Sequence, residues 1–501
     1  MARSRVVDLK IFVAIAVIVV CGFLGKSDGL HRIFEYAERR TPEVSVGLTG
    51  APVMLSHFIE LGKPEEAKKA ALVTGMEKFF AKASGMPEAP TARVSYSGFI
   101  TVNKTCDANL FFWFIPAKNS PESAPVTVWL QGGPGASSLF GLFVEHGPWV
   151  VDADLNISAR DYDWSTANSM LYIDNPVGSG FSYSSDDSCY ARSEEDVARD
   201  LYSFLTQFFV VFNEFAHQDF YVTGESYAGK YVPAITWKIL QANQDQNVHQ
   251  KINLKGMGIG DGLSDPITMT DYGSYLFEVG MIGYEEKRHF EQVEKNVRQN
   301  IEQGNYKIAA ELFDELLDGD FNKASYFKNV TGSDYYFNIL QFREPKEFSY
   351  YVDFINRPEV RQAIHVGNKA FHNGSKVESL LFEDMMKSVK PWFEDILNSG
   401  IRVLLFNGQL DIIVAYPLTE NFVRSLRWRH AADFKDSPRH QWKIGAVTAG
   451  YAQEYENFGL VLVRNAGHMV PYDQPVLGYD LINRFTTGKP FSARLQYLGE
   501  N

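Results

Sequence analysis

The chain opens on a basic stretch, Arg3, Arg5 and Lys10, followed by an apolar run over 11–25 and then polar Lys26-Ser27-Asp28. A charged lead, a short hydrophobic run and small residues behind it are the order of a secretory signal peptide, and the run falls short of the roughly 20 residues a bilayer span needs. Residues 1–25 are expected to be cleaved, with an uncleaved signal anchor as the alternative, and no later apolar run is long enough to leave a stable membrane span. Residues 26–90 predict a helical N-terminal segment, most strongly at Lys63-Pro-Glu-Glu-Ala-Lys-Lys-Ala-Ala.

From residue 91 the pattern changes to short apolar runs bounded by glycine, proline and polar residues. They lie at 94–102, 110–115, 126–130, 170–173, 220–223, 254–259, 402–406 and 460–463. Interleaved with helical stretches, such runs read as buried central strands. Between 264 and 395 the rhythm stops and charged helical sequence takes over, as in Tyr284-Glu-Glu-Lys-Arg-His. The expected fold is α/β: a mostly parallel central sheet with helices on both faces, its core split into 91–263 and 396–501 by a helical cap inserted over 264–395.

Composition narrows the function. With 45% hydrophobic and 14% aromatic residues the chain can bury a large core, which excludes disorder. A net charge of −13 argues against a nucleic-acid partner. Neither Cys-x-x-Cys nor His-Glu-x-x-His occurs, so no metal or cofactor is expected, and His365 and His372 read as surface or capping positions. Cys106 and Cys189, the two cysteines beyond the leader, form either one disulfide or two free thiols. Sequons at Asn103, Asn156, Asn329 and Asn373 read as glycosylation sites of a secretory-pathway protein.

Three of the predicted strands end in residues that carry chemistry. The run 220–223 leads into Gly224-Glu225-Ser226-Tyr227-Ala228-Gly229, a serine between small residues at the start of a helix. Small neighbours permit the sharp turn that lifts the hydroxyl above a sheet edge, and the helix start favours developing negative charge. Taken alone, such a string is more often an ordinary turn. The run 402–406 leads to Asp411 and the run 460–463 to His468, which by themselves read as a loop cap and a hydrogen-bonded surface residue. With Ser226 they give the chain order Ser, Asp, His of the α/β-hydrolase fold. A serine hydroxyl is too weak an acid to attack unaided. His468 would take its proton and later protonate the leaving group, while Asp411 would fix the imidazole tautomer.

Four strings, Trp129-Leu-Gln-Gly-Gly-Pro-Gly-Ala-Ser-Ser, Gly224-Glu-Ser-Tyr-Ala-Gly, Gly408-Gln-Leu-Asp and Gly467-His-Met-Val-Pro, resemble the serine carboxypeptidase family, in particular its vitellogenic-carboxypeptidase-like branch. Glu145-His-Gly-Pro, Asp174-Asn-Pro-Val-Gly-Ser-Gly-Phe-Ser-Tyr and Gly260-Asp-Gly-Leu-Ser-Asp-Pro support the likeness, which runs from about 93 to 490. The resemblance implies removal of C-terminal amino acids from peptides through an acyl-enzyme, best at acidic pH, in a secreted or lysosomal (vacuolar) protein. It implies an oxyanion hole from the backbone amides of Gly133 and Tyr227, and a site for the substrate carboxylate built from Gln131, Gly132, Glu145 and Glu225. Two glutamates suit an anion only when protonated, and two carboxyls held close resist ionising together.

Two departures from the family pattern matter. Gln131 stands where asparagine is usual, lengthening the arm by a methylene, and Ala136 replaces a cysteine, so the disulfides that tie cap to core in many relatives cannot form and a more mobile cap is expected. Ester hydrolysis or acyl transfer on the same triad remains an alternative, as does a non-catalytic stabilising partner protein. A homodimer is left open.

Overall fold

A strand covered by helices on both sides must be apolar at every position, and Val126–Leu130 is buried throughout for this reason. The computed structural model describes residues 50–80, 93–247, 250–319, 321 and 325–493. The expected signal peptide lies outside the described residues, as do 26–49 and 81–90 of the expected N-terminal segment.

Ten strands form one sheet: β1 (Tyr96–Asn103), β2 (Ala108–Ile115), β3 (Val126–Leu130), β4 (Ser169–Ile173), β5 (Phe220–Glu225), β6 (Leu254–Gly260), β7 (Arg402–Gly408), β8 (Arg439–Ile444), β9 (Val447–Tyr455) and β10 (Phe458–Val463). Their spatial order is β1-β2-β4-β3-β5-β6-β7-β10-β9-β8. The six strands from β4 to β10 are mutually parallel, and an antiparallel pair closes each edge. The eight apolar runs correspond to eight of these strands. The two that periodicity missed, β8 and β9, form the far edge, where exposed Arg439, His440 and Gln441 and half-buried Thr448, Gln453 and Glu454 break the apolar pattern.

Helices cover both faces. In chain order the main ones are α1 (Leu55–Glu60), α2 (Pro64–Ala71), α3 (Glu194–Val211), α4 (Ala228–Gln244), α5 (Tyr284–Glu302), α6 (Tyr306–Leu316), α7 (Lys390–Ser399) and α8 (Pro475–Thr487). The α3 helix starts where it does because the Ser193 side chain accepts the Asp196 N–H and three acidic residues fill the positive first turn. Its Phe204 and Phe208, with Phe212 just beyond its end, meet Phe112 and Phe114 of β2 edge-to-face at 5.1–6.2 Å. On one face of the central strands, Gly224 turns toward Ala228 and Val232 of α4; on the other, Gly256 and Gly258 turn toward Phe485 of α8. The α1 and α2 helices lie along β1, with bridges from Met54 to Phe99 and from Leu72 to Tyr96.

Between β6 and β7 the regular elements of the described chain are helices, except for His372–Asn373, which pairs with Ser179–Gly180. Although no disulfide holds this stretch to the core, a buried ion pair does: Lys230 Nζ of α4 lies 2.8 Å from Asp384 Oδ2. Among the described residues no helix is long and apolar enough to cross a membrane.

Cys106 and Cys189 form a disulfide, so the two-thiol alternative is set aside. The bond joins the turn after β1 to the approach of α3 across a sequence separation of 83 residues. Cross-linking a loop of that size restricts the unfolded chain, and replacing both cysteines by serine is expected to destabilise the protein by about 2–4 kcal/mol. Denaturant unfolding of the purified double variant measures it; a midpoint equal to wild type contradicts the expectation.

Candidate active site

The strand β5 ends at Glu225 and α4 begins at Ala228, leaving two residues for the reversal. Ser226 takes φ +63°, a left-handed conformation that costs a non-glycine residue about 1–3 kcal/mol. Three backbone hydrogen bonds hold it there: Ser226 N–H to Gly260 O (3.0 Å), and Gly229 N–H (2.9 Å) and Leu263 N–H (3.1 Å) to Ser226 O. A Cβ on Gly224 would stand 2.4 Å from Leu130 O and 2.7 Å from Ala228 Cβ, so the first flanking position must be glycine, while alanine is tolerated at the second.

Asp411 and His468 arrive from neighbouring strand ends, after β7 and β10. Asp411 is wholly buried, and its Oδ2 accepts from His468 Nδ1 (2.9 Å) and from Val414 N–H (3.2 Å). A carboxylate only accepts, so the imidazole proton sits on Nδ1 and Nε2 presents a lone pair. His468 Nε2 is buried with no hydrogen-bond partner. The ring packs on Phe337 at 4.9 Å, and the His468 N–H donates to Phe337 O at 2.7 Å. Ser226 and His468 line one cleft together with Gln131, Gly132, Gly133 and Glu225.

The loop after β3 fits closely over the turn. Gly132 faces the Tyr227 amide and the Glu225 carbonyl, and Gly133 takes φ +112°. Among the described residues no acceptor is bonded to the Gly133 or Tyr227 N–H. The loop is anchored by Asp174, whose carboxylate accepts from Ser137 Oγ (2.6 Å), Ser138 N–H (3.1 Å) and Phe181 N–H (2.8 Å). Burial still pushes the Asp174 carboxyl up to about 7.

Gln131 is oriented by its neighbours. Trp129 Nε1 donates to Gln131 Oε1 (2.9 Å), which turns the amide nitrogen to Glu225 Oε1 at 2.6 Å. Glu145, wholly buried at the end of Gly141–Glu145, does not itself line the cleft. Its carboxyl lies within hydrogen-bonding reach of Glu225 and Gln131. Burial raises both carboxyls, and the charge of Glu145 raises Glu225 further.

Six of the candidate catalytic and carboxylate-binding residues thus share one cleft, with Tyr227, Asp411 and Glu145 packed behind it. A lone pair on a histidine, a serine at a forced turn, two unbonded amides and protonatable carboxyls can together support acyl transfer from a substrate ending in an anion. The model of the family described as serine carboxypeptidase matches residues 87–488.

The chain belongs to the serine carboxypeptidase family.

It is 47% identical over 470 residues to the probable serine carboxypeptidase CPVL of Homo sapiens, a match spanning 93% of this chain and 95% of the relative. It is 46% identical to the venom serine carboxypeptidase of Apis mellifera (88% of this chain, 92% of the relative) and 41% identical to the vitellogenic carboxypeptidase of Aedes aegypti (88% and 91%). The solved structure of Kex1(Δ)p, a prohormone-processing carboxypeptidase from Saccharomyces cerevisiae, shares the fold with a TM-score of 0.72 at 24% identity, covering 84% of this chain and 96% of that one.

Other residues of this serine carboxypeptidase differ from the sequence reading. His365 and His372 are half-buried rather than superficial, and His372 lines the cleft. Of the sequons, Asn329 is exposed on Tyr326–Thr331, Asn103 and Asn156 are half-buried, and Asn373 lines the cleft beside His372. Sequence reasoning assigned no role to Trp129, Asp174 or Asp261. All three lie inside motifs quoted for the family, but only their contacts reveal what they support.

The fit of Gly132 gives a direct test. An added Cβ would lie 2.6 Å from Tyr227 N, 2.7 Å from Ser226 Cβ and 2.8 Å from Glu225 O. Gly132→Ala is expected to cost about 1–3 kcal/mol of stability and to lower turnover, because the turn has to shift to admit the methyl. Thermal unfolding and steady-state kinetics check both, and an unaltered turnover contradicts the close fit.

Proposed function

We propose that Ser226, His468 and Asp411 are the catalytic triad of this carboxypeptidase, and that Gln131, Gly132, Glu145 and Glu225 receive the free carboxylate of a peptide C-terminus. The observation that carries the reading is the contact of Gln131 with Glu225, two residues that line the same cleft as Ser226 and His468. Ser226 Oγ attacks the carbonyl of the last peptide bond while His468 Nε2 takes its proton. The Gly133 and Tyr227 amides meet the developing oxyanion. Collapse of the intermediate breaks the C–N bond, His468 protonates the departing amine, and the C-terminal amino acid leaves. Water then hydrolyses the acyl-enzyme by the reverse use of His468.

Much of the remaining cleft lining, Phe140, Phe337, Tyr351, Val352, Phe371 and Met469, is apolar or aromatic. That surface favours peptides with apolar side chains beside the scissile bond. The helical stretch 264–395 supplies several of these residues and acts as the cap over the core. The expected signal peptide, the disulfide and the four sequons fit a route through the secretory pathway to the cell exterior or a lysosome-like compartment.

The sign of the pH dependence follows from the raised carboxyls. Below their titration the Glu145–Glu225 pair holds protons and Glu225, which lines the cleft, donates to the substrate carboxylate; above it the pair ionises and repels that carboxylate. The KM for a blocked dipeptide is therefore expected to stay low in acid and to rise as the pH passes through about 8, while the KM for its C-terminal amide stays nearly flat. Ser226→Ala is expected to lower turnover of both substrates by about a thousandfold or more. Turnover of esters or amides without preference for the free acid would move the assignment to an esterase or acyltransferase. Activity surviving in Ser226→Ala would overturn the triad.

A further inference from the structure

Asp261 follows β6 directly, is wholly buried and takes φ +43°, an uncommon conformation for a residue other than glycine. It is held firmly. Its N–H donates to Phe406 O (2.8 Å), and its Oδ1 accepts from Gly408 N–H (2.9 Å) and Asn407 Nδ2 (3.4 Å). Asn407 and Gly408 close β7, the strand that delivers Asp411, so Asp261 is tied to the root of the loop carrying the triad acid. One carboxylate oxygen of Asp261, one of Asp411 and a ring nitrogen of His468 all lie within 4.8 Å of one another.

The partners are unevenly shared in this cluster. Asp411 Oδ2 has two donors and Asp261 Oδ1 has two, whereas Asp411 Oδ1 and Asp261 Oδ2 are both buried with no hydrogen-bond partner. Two carboxyls this close, away from water, cannot both carry charge without a large penalty. The His468 Nδ1 proton is already given to Asp411 Oδ2, so it does not neutralise Asp261. One further proton satisfies both empty oxygens at once.

We propose that Asp261 is a positioning residue, its carboxyl carrying a proton on Oδ2 that it donates to Asp411 Oδ1 to fix the carboxylate that orients His468. The proposal rests on the triad reading above. The titratable groups facing Asp261 are Asp411 and, more weakly, Glu225, both acidic, together with the His468 ring, whose Nδ1 proton goes to Asp411. Burial first and the Asp411 charge second push the Asp261 carboxyl well above the ordinary carboxylate range, the direction that retains the proton. With it, Asp411 has three donors: His468 Nδ1, Val414 N–H and the Asp261 hydroxyl. The third donor draws charge from the carboxylate and so moderates how strongly Asp411 holds an imidazolium. Its loss would make Asp411 more basic toward His468 and raise the pH at which His468 becomes a free base.

Two variants of the full-length, purified enzyme separate this role from a merely structural one. Asp261→Asn keeps the shape and supplies an N–H donor that never ionises; Asp261→Leu keeps most of the volume and supplies none. Asp261→Leu is expected to lower kcat by about ten- to a hundredfold with KM for a blocked dipeptide nearly unchanged, and to move the acid limb of kcat/KM to higher pH. Asp261→Asn is expected to restore kcat to within a few-fold and return the limb to its wild-type position. Circular dichroism and the thermal midpoint establish that both variants are folded. A folded Asp261→Leu enzyme with an unmoved acid limb overturns the proposal, as does an Asp261→Asn enzyme as impaired as Asp261→Leu, which would mean that Asp261 acts as an anion. Ser226→Ala, assayed alongside, keeps the outcomes distinct: activity retained there refutes the triad itself, not the role of Asp261 within it.

Discussion

The turn at Ser226 is the constraint around which the rest of the site is arranged. A non-glycine residue with φ +63° does not persist by its own preference, and the backbone bonds from Gly229, Gly260 and Leu263 outweigh that cost only because β6 and α4 are fixed. The parallel centre of the sheet brings β5, β6, β7 and β10 side by side, so four strand ends meet at one edge. Ser226, Asp261, Asp411 and His468 each follow one of them, and distances set by the interstrand spacing put their side chains within reach of each other. The glycine loop after β3 can then lie against the turn, because Gly132 carries no side chain where the Tyr227 amide comes up.

The chemistry of this edge is unusually acidic for a buried region. Glu145, Glu225, Asp174 and Asp261 are all buried, and burial heads the causes that raise each of them. A carboxyl whose folded value is raised stabilises the fold below its unfolded value, and that contribution is lost as pH rises through the folded value. The site therefore gains cohesion and function in the same direction, toward acid. In the function proposed above, a substrate anion is received by hydrogen-bond donors made from protonated acids rather than by a permanent cation, a mode of binding that weakens as the surroundings become less acidic.

Much of this was legible in the residues. Apolar runs located eight strands to within a few positions, because a strand buried on both faces has to be apolar throughout. The edge strands β8 and β9 were not, since Arg439, His440 and Gln441 are exposed in succession, on both faces of the sheet, and leave no apolar run to find. Ser226, Asp411 and His468 could be placed by strand ends and chain order, and the resemblance to serine carboxypeptidases supplied Gln131 and Glu145, which periodicity alone would have left as loop residues. The pairing of Cys106 with Cys189 stayed undecided, because two cysteines in an oxidising compartment do not reveal how near the fold brings them. Trp129, Asp174 and Asp261 were hidden for a related reason: each works through a neighbour distant in sequence, and only the packed structure identifies that neighbour.

The ion pair between Lys230 and Asp384 bears on how the cleft is entered. Both side chains are almost fully enclosed, and parting them would strand an ammonium in the core, a cost of about 3–5 kcal/mol where such pairs have been broken. The segment bearing Asp384 also carries His372 and Asn373, and its Gly374 and Val377 touch Gly135 of the glycine loop. The expectation of a loose cap in the absence of disulfides therefore does not extend to this wall. The wall that carries His372 and Asn373 is thereby pinned to the core helix that begins at the Ser226 turn.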